Sequence, residues 1–390
     1  MTQCAIFCNV IDNFGDIGVC WRLARQLADE YDWQVSLFVD DLDSFAVLAP
    51  ALNTQKERQQ LEQITLYHWH THSRFEQPFD VVIEGFGCRL SDALIAQMQA
   101  QTSAGRPVLW LNLEYLSAED WAMDYHGMTS IHPATGLKQT FWFPSISARS
   151  GGLLREKNLI CQRDQFQQDA QQQLAFWTNL NLPDALHFSR KISLFSYRDM
   201  PVADLLTALE RDHQSTLLLV PYSQSIPAIE AWLGQTLQIG DRVQRQNLSI
   251  VVLPFLPHMQ FDQLLWSCDL NFVRGEDSCV RAHWAGKPFI WHIYPQDEQA
   301  HLVKLQAWMD QMANQTTDRT LAQTQPIEGW QTVMLAWNAA IPSTPALWQQ
   351  SMVQLPDYQQ QMAQWTNFLL QQSSLAERLH DYFLSQQISH

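Results

Sequence analysis

Runs of β-branched and apolar residues alternate with helix-spaced segments in two separate stretches of this chain. That alternation restricts it to parallel sheets with helices on both faces. In the first stretch, CAIFCNVI (4–11), QVSLFVD (34–40), ITLYHWH, DVVIE (80–84) and PVLWLN (107–112) read as strands. Residues 17–30 place Val19, Leu23, Ala24, Leu27 and Ala28 at helical spacing. Residues 156–185 turn Gln- and Asp-rich and read as helix or linker. The alternation then restarts with KISLFSY (191–197), TLLLVP (216–221), LSIVVLPF (248–255), DLNFVR (269–274) and PFIWHI (288–293), with helices expected at 201–211, 226–235, 258–267 and from 277 through 286. After residue 296 the pattern is mostly helical, with a turn-rich loop at 314–326. At 390 residues, two domains are the expectation: residues 1–180 and 181–364, with a terminal helix at about 365–390 crossing back onto the first. Two such α/β domains facing each other leave a cleft at the carboxyl ends of their strands, where ligands of these sheets bind.

Composition removes several function classes. The formal charge is −16 and no Arg/Lys stripe offsets it, so nucleic-acid phosphate is repelled and a basic acceptor is favoured. No run reaches the ~18–20 apolar residues of a membrane span. The N-terminus has no basic region before its short apolar run, which reads as a first buried strand and not a signal peptide. Seven scattered cysteines include no CxxC pair, and no Cys/His cluster has zinc spacing. Reduced core thiols in a cytoplasmic protein fit that pattern. Sixteen tryptophans are many, and serve either as large core residues or as an aromatic docking surface.

Chemistry concentrates at two strand ends. The first is Ile11-Asp12-Asn13-Phe14-Gly15-Asp16-Ile17-Gly18, which lacks the GxGxxG of a dinucleotide site but carries two carboxylates. In the ordinary reading Asp16 caps the following helix and Asp12 forms a turn. In the catalytic reading Asp16 is a general base kept ionised by the helix N-terminus, and the two carboxylates grip a guanidinium. The second is Arg274-Gly275-Glu276-Asp277-Ser278, where a strand opens into a helix start able to hold a diphosphate. Glu276 is placed to accept sugar hydroxyls, while Asp277 or Ser278 also suits plain capping. Phe195, Tyr197 and Phe261 offer a stacking surface for a nucleobase, or ordinary core packing. For His292 a structural role is expected.

At these residues the chain resembles the EarP family. The likeness rests on VIDNFGDIG (10–18), WRLARQL (21–27), LNLEYLSAE (111–119), SGGLLRE (150–156), PFLP (254–257), FDQLL (261–265) and RGEDSCVRAHWAGKPFIWHIYPQDE (274–298), and spans nearly the whole chain. The resemblance implies a GT-B fold of two Rossmann-like domains, the C-terminal one binding the nucleotide sugar. It implies inverting transfer of rhamnose from dTDP-β-L-rhamnose to a guanidine nitrogen of one arginine of elongation factor P, without cofactor or metal. The modified factor helps ribosomes through polyproline stretches. By the same resemblance Asp16 is the base, Asp12 and Glu276 are the further catalytic carboxylates, and Asn13, Phe14, Gly15, Phe195, Tyr197, His258, Phe261, Arg274, Glu276, Asp277 and Ser278 line the donor. One departure stands at His258, where a member of the family has a glutamine that helps recognise the base.

Three other readings compete. A GT-B enzyme acting on a small molecule or glycan would share these features. So would a non-catalytic nucleotide-sugar-binding module, although both Asp12 and Asp16 are present. A Rossmann dehydrogenase is disfavoured by the missing glycine fingerprint.

Overall fold

A computed structural model describes the chain except residues 12–13, 71–74, 76, 317–324 and 389–390. Asp12 and Asn13 therefore lie outside the described residues. The chain divides into two compact units, residues 1–157 with 372–390, and residues 158–371.

The first unit holds strands β1 (Gln3–Cys8), β2 (Gln34–Val39), β3 (Arg58–Leu61), β4 (Ile64–His68), β5 (Val81–Gly85), β6 (Leu109–Leu113), β7 (Thr129–Ile131) and β8 (Lys138–Trp142). They form one sheet in the order β3-β4-β2-β1-β5-β6-β8-β7. Its interior pairings are parallel, and the edge strands β3 and β7 pair antiparallel to their neighbours. Parallel register sets Phe7 beside Phe38 and Phe38 beside Tyr67. Their rings stack at 4.5 and 4.6 Å, an aromatic ladder across three strands.

The second unit holds β9 (Arg190–Leu194), β10 (Thr216–Pro221), β11 (Arg242–Arg245), β12 (Leu248–Leu253), β13 (Leu270–Arg274) and β14 (Phe289–His292), in the order β11-β12-β10-β9-β13-β14. All its pairings are parallel except β11 with β12. Strands β3, β7, β8 and β11 escape the sequence pattern. The three edge strands among them read RQQL, TSI and RVQR, too short and polar to show a buried face.

The unit boundaries differ from the expected ones for packing reasons. Residues 158–180 were expected with the first domain, yet they join the second. Phe166 packs 5.7 Å from Trp266 and 5.8 Å from Phe176, and Arg163 Nη1 donates to the Trp284 carbonyl at 2.7 Å. Helix Leu355–Leu370 likewise stays on the second unit, where Trp365 Nε1 donates to His283 Nδ1 at 2.8 Å. The chain returns to the first unit only at residue 372, through helix Leu375–Ile388.

That return explains the SGGLLRE word. A side chain at Gly151 would meet Trp142 Nε1 at 2.5 Å, and one at Gly152 would meet the Ser373 carbonyl at 2.9 Å. The paired glycines let the backbone pass between these groups, and Leu375 N–H then bonds the Leu153 carbonyl at 2.8 Å. Trp33 meets Phe383 edge-on at 5.3 Å.

The tryptophans serve the core: Trp177, Trp291, Trp308, Trp337, Trp348 and Trp365 are fully buried, whereas Trp121 is exposed. All seven cysteines are free, and only Cys161 is exposed. No described helix is long and apolar enough to cross a membrane. Of the expected 314–326 loop, residues 314–316 and 325–326 belong to helices Ala300–Thr316 and Gln325–Trp337, and 317–324 lie outside the described residues.

Candidate active site

In the first unit, the β1 end is held by two carboxylates. Asp40 Oδ1 accepts the Val10 N–H at 2.9 Å, and Asp16 Oδ2 accepts the Ile11 N–H at 2.9 Å. Helix Gly15–Tyr31 begins two residues earlier than the apolar spacing indicates, with Phe14 at the N-cap position and no side-chain cap bond. Asp16 is thus not the cap. It sits inside the first turn, where the helix dipole favours a carboxylate, and is only 3 % exposed. Gly15 is the first residue of that helix.

Strand order places the end of β5 next to β1, with β6 on the far side of β5. Glu84 in β5 is buried and accepts from Trp110 Nε1 at 3.1 Å and Gln139 Nε2 at 2.6 Å. Burial pushes its carboxyl above the usual range despite these donors. Glu114, just past β6, is raised by burial and then by Glu84, while Asn112 Nδ2 donates to it at 2.7 Å. These two carboxyls were not singled out in the sequence; the LNLEYLSAE word around Glu114 was the available signal. A cavity of about 860 Å³ opens beyond the ends of β1, β2, β4 and β5, lined by Asn9, Asp40, His70, Arg89 and Asp92 among others.

In the second unit, the expected donor residues converge. The Arg274 guanidinium lies 4.6 Å from the Phe195 ring centre and 4.8 Å from that of Tyr197. Phe261, on helix His258–Ser267, meets Phe195 edge-on at 5.6 Å. His258 starts that helix and is buried, three residues before Phe261 and so on the same side. Gly275 takes the left-handed conformation (φ 58°), and its carbonyl accepts Trp291 Nε1 at 2.7 Å. This long-range anchor fixes the turn between β13 and helix Asp277–Ala285.

The helix start is arranged differently from the expectation. Neither Asp277 nor Ser278 is the cap; Glu276 occupies that position without a side-chain cap bond. Ser278 Oγ accepts the Arg274 N–H at 3.0 Å and donates to the Arg274 carbonyl, so its hydroxyl shapes the turn. Asp277 lies in the first helical turn. The Glu276 carboxylate is gripped by Lys304 Nζ at 3.1 Å, a partner contributed by helix Ala300–Thr316 that local sequence does not reveal. Helices His258–Ser267 and Asp277–Ala285 are tied by a buried fork: Arg281 Nε and Nη2 donate to Asp262 at 2.9 and 2.7 Å.

His292 is structural, as expected. Its Nδ1 accepts the Tyr197 N–H at 3.3 Å and lies 2.6 Å from Ser196 Oγ, which in turn accepts Trp337 Nε1 at 3.1 Å. Burial, aided by Arg274, lowers its pKa to about 3, so the ring is neutral.

Two Rossmann-like units, one with a helix-start carboxylate and the other with an arginine–aromatic cradle beside a helix start, define a glycosyltransferase of the GT-B fold. The family model for the elongation factor P (EF-P) rhamnosyltransferase EarP matches residues 4–384, and the chain belongs to that family. It is 40 % identical over 385 residues to a protein-arginine rhamnosyltransferase of Pseudomonas aeruginosa, covering 98 % of this chain and 99 % of that one. It is 46 % identical over 305 residues to the protein of the same name from Pseudomonas putida, covering 78 % of this chain and 80 % of that one. A solved structure presented as the structural basis for EarP-mediated arginine glycosylation of translation elongation factor EF-P superposes with a TM-score of 0.70, at 30 % identity and over 99 % of both chains.

Proposed function

We propose that this protein transfers L-rhamnose from dTDP-β-L-rhamnose to a guanidine nitrogen of one arginine of elongation factor P, inverting the anomeric centre. The observation that carries the reading is the match to the EarP family over residues 4–384, joined to an Asp16 carboxylate held in the first helical turn after β1. The P. aeruginosa and P. putida relatives are named for arginine rhamnosylation, which supports the acceptor chemistry.

The donor belongs with the second unit. Thymine would stack at Phe195 and Phe261, with His258 on the same helix side. The diphosphate would meet the first-turn amides of helix Asp277–Ala285 and the Arg274 guanidinium. Glu276, oriented by Lys304, would accept sugar hydroxyls.

The acceptor arginine belongs with the first unit, gripped by Asp16 and Asp12, with Glu114 as a further carboxylate nearby in the strand order. An arginine pKa of about 12.5–13.8 forbids prior deprotonation by a carboxylate. The guanidine nitrogen therefore attacks the anomeric carbon as Asp16 takes its proton. The C–N bond forms, the C–O bond to the diphosphate breaks on the opposite face, and dTDP leaves with the electron pair. Helix amides and Arg274 absorb the leaving group's charge, so the chemistry needs no metal ion. The product is a modified translation factor active on polyproline stretches, and the working compartment is the cytoplasm.

The test is mass spectrometry of purified elongation factor P incubated with this protein and dTDP-β-L-rhamnose. A deoxyhexose on one arginine is expected. An unmodified factor, alongside transfer to a free sugar or glycan, would overturn the reading.

A further inference from the structure

We propose that Glu57, His68 and His70 form a binding site for a divalent transition-metal ion of the zinc type, separate from the transfer chemistry. Among the described residues these three offer ligand atoms that all lie within 4.8 Å of one another. Glu57 Oε1 is 3.8 Å from His68 Nδ1, and Glu57 Oε2 is 3.4 Å from His70 Nε2. A tetrahedral ion with bonds of about 2.0–2.1 Å holds its ligand atoms about 3.3 Å apart. Small side-chain rotations close the remaining gap.

The backbone explains the convergence. His68 ends β4, and the extended chain continues through Trp69, whose N–H bonds the Val39 carbonyl at 2.7 Å. Residues two apart in extended chain share a face, so both imidazoles emerge on one side, with ring centroids 4.0 Å apart. Glu57 precedes β3, and its carbonyl accepts the His68 N–H at 2.9 Å, which sets it across from that face. The third ligand comes from another strand's approach, so no zinc-type spacing shows in the sequence.

One contact selects the ligand atom. His68 Nε2 lies 3.1 Å from the Asp40 carbonyl, which can only accept. Nε2 must carry the proton, and in the neutral ring the Nδ1 lone pair points at Glu57. Two lone-pair groups facing each other need either a second ring proton or a cation between them. A carbonyl behind a ligating imidazole is the usual outer partner of such an ion, fixing the tautomer and orienting the ring. Exposure of His70 (52 %) and Glu57 (74 %) leaves an entry path and room for water as fourth ligand. His70 also lines the cavity at the strand ends, so the ion would fix one wall of it and clip β4 to the segment before β3.

The experiment is calorimetric titration of the full-length, untagged, chelator-treated protein with zinc chloride, without donor or acceptor. We expect one equivalent at micromolar affinity, weakened at least tenfold in His70→Ala and also in Glu57→Gln. X-ray absorption of the one-to-one complex should show nitrogen and oxygen neighbours at about 2.0–2.1 Å and no sulfur. No binding below millimolar zinc would overturn the site. So would wild-type affinity in a His68→Ala/His70→Ala variant with an unchanged circular dichroism spectrum, or a sulfur neighbour implicating exposed Cys161. Sugar transfer is not the readout, so this inference and the proposed function stand or fall separately.

Discussion

Ser278 closes a hydrogen-bonded loop on Arg274, accepting its N–H at 3.0 Å and donating to its carbonyl. The same arginine presents its guanidinium to Phe195 and Tyr197. The serine hydroxyl thus shapes the backbone that aims Arg274, and through it the proposed donor site. Ser278→Ala leaves a buried N–H without its acceptor, which costs about 1–3 kcal/mol of stability. It should also weaken dTDP binding on the order of tenfold by relaxing the Arg274 turn. Thermal unfolding and calorimetry with dTDP check both. An unchanged melting temperature with weakened dTDP would place the hydroxyl on phosphate instead.

Asp16→Asn keeps an oxygen that can accept the Ile11 N–H, so the β1 exit should hold its shape. What it loses is the proposed proton acceptor. Turnover on elongation factor P should fall by about 10²–10⁴, with donor affinity within twofold of wild type. Single-turnover kinetics beside donor titration separate the two. Turnover within threefold of wild type would remove Asp16 as the base.

Lys304→Met removes the ammonium 3.1 Å from Glu276, while both side chains are largely shielded. The carboxylate loses its ammonium partner. The donor kcat/KM should drop on the order of tenfold, the size of one charge-assisted hydrogen bond. Lys304→Arg should recover part of it. Equal activity of all three proteins would show that Glu276 needs no such positioning.

His283 gives a pH prediction. Its buried ring accepts Trp365 Nε1 at 2.8 Å, and burial lowers its pKa to about 3, against 6.5 unfolded. Below pH 6.5 the unfolded chain gains a proton that the folded chain refuses, so stability falls as pH drops from 6.5 towards 3. From pH 7 to pH 5 this one residue should cost about 2 kcal/mol. Urea unfolding at both pH values, compared with His283→Gln, measures it. The variant should lose less stability over that interval; an identical loss would assign the acid sensitivity elsewhere.

Most of the strands the sequence reveals are buried on both faces. CAIFCNVI, TLLLVP and LSIVVLPF announce themselves because a strand buried on both faces must be apolar throughout. RQQL and RVQR do not, because an edge strand answers mainly to water and to one neighbour. The cap lies two residues before Asp16 in the first helix and one residue before Asp277 in the second. There the polar side chains suggest a cap, but the chain enters helix with Phe14 and Glu276 at the cap positions.

Residue identity and local spacing by themselves determined two α/β units, the acidic loop after the first strand, the aromatic residues of the second sheet and the family likeness. These depend on neighbours within a turn or a strand. Tertiary structure decided that Lys304 meets Glu276, that Trp291 anchors Gly275, that residues 158–180 pack with the second unit, and that Glu57 joins two histidines. Such pairs join residues far apart in the chain with no periodicity to mark them. Only the folded backbone, by choosing which strand ends and helices adjoin, brings their side chains within reach.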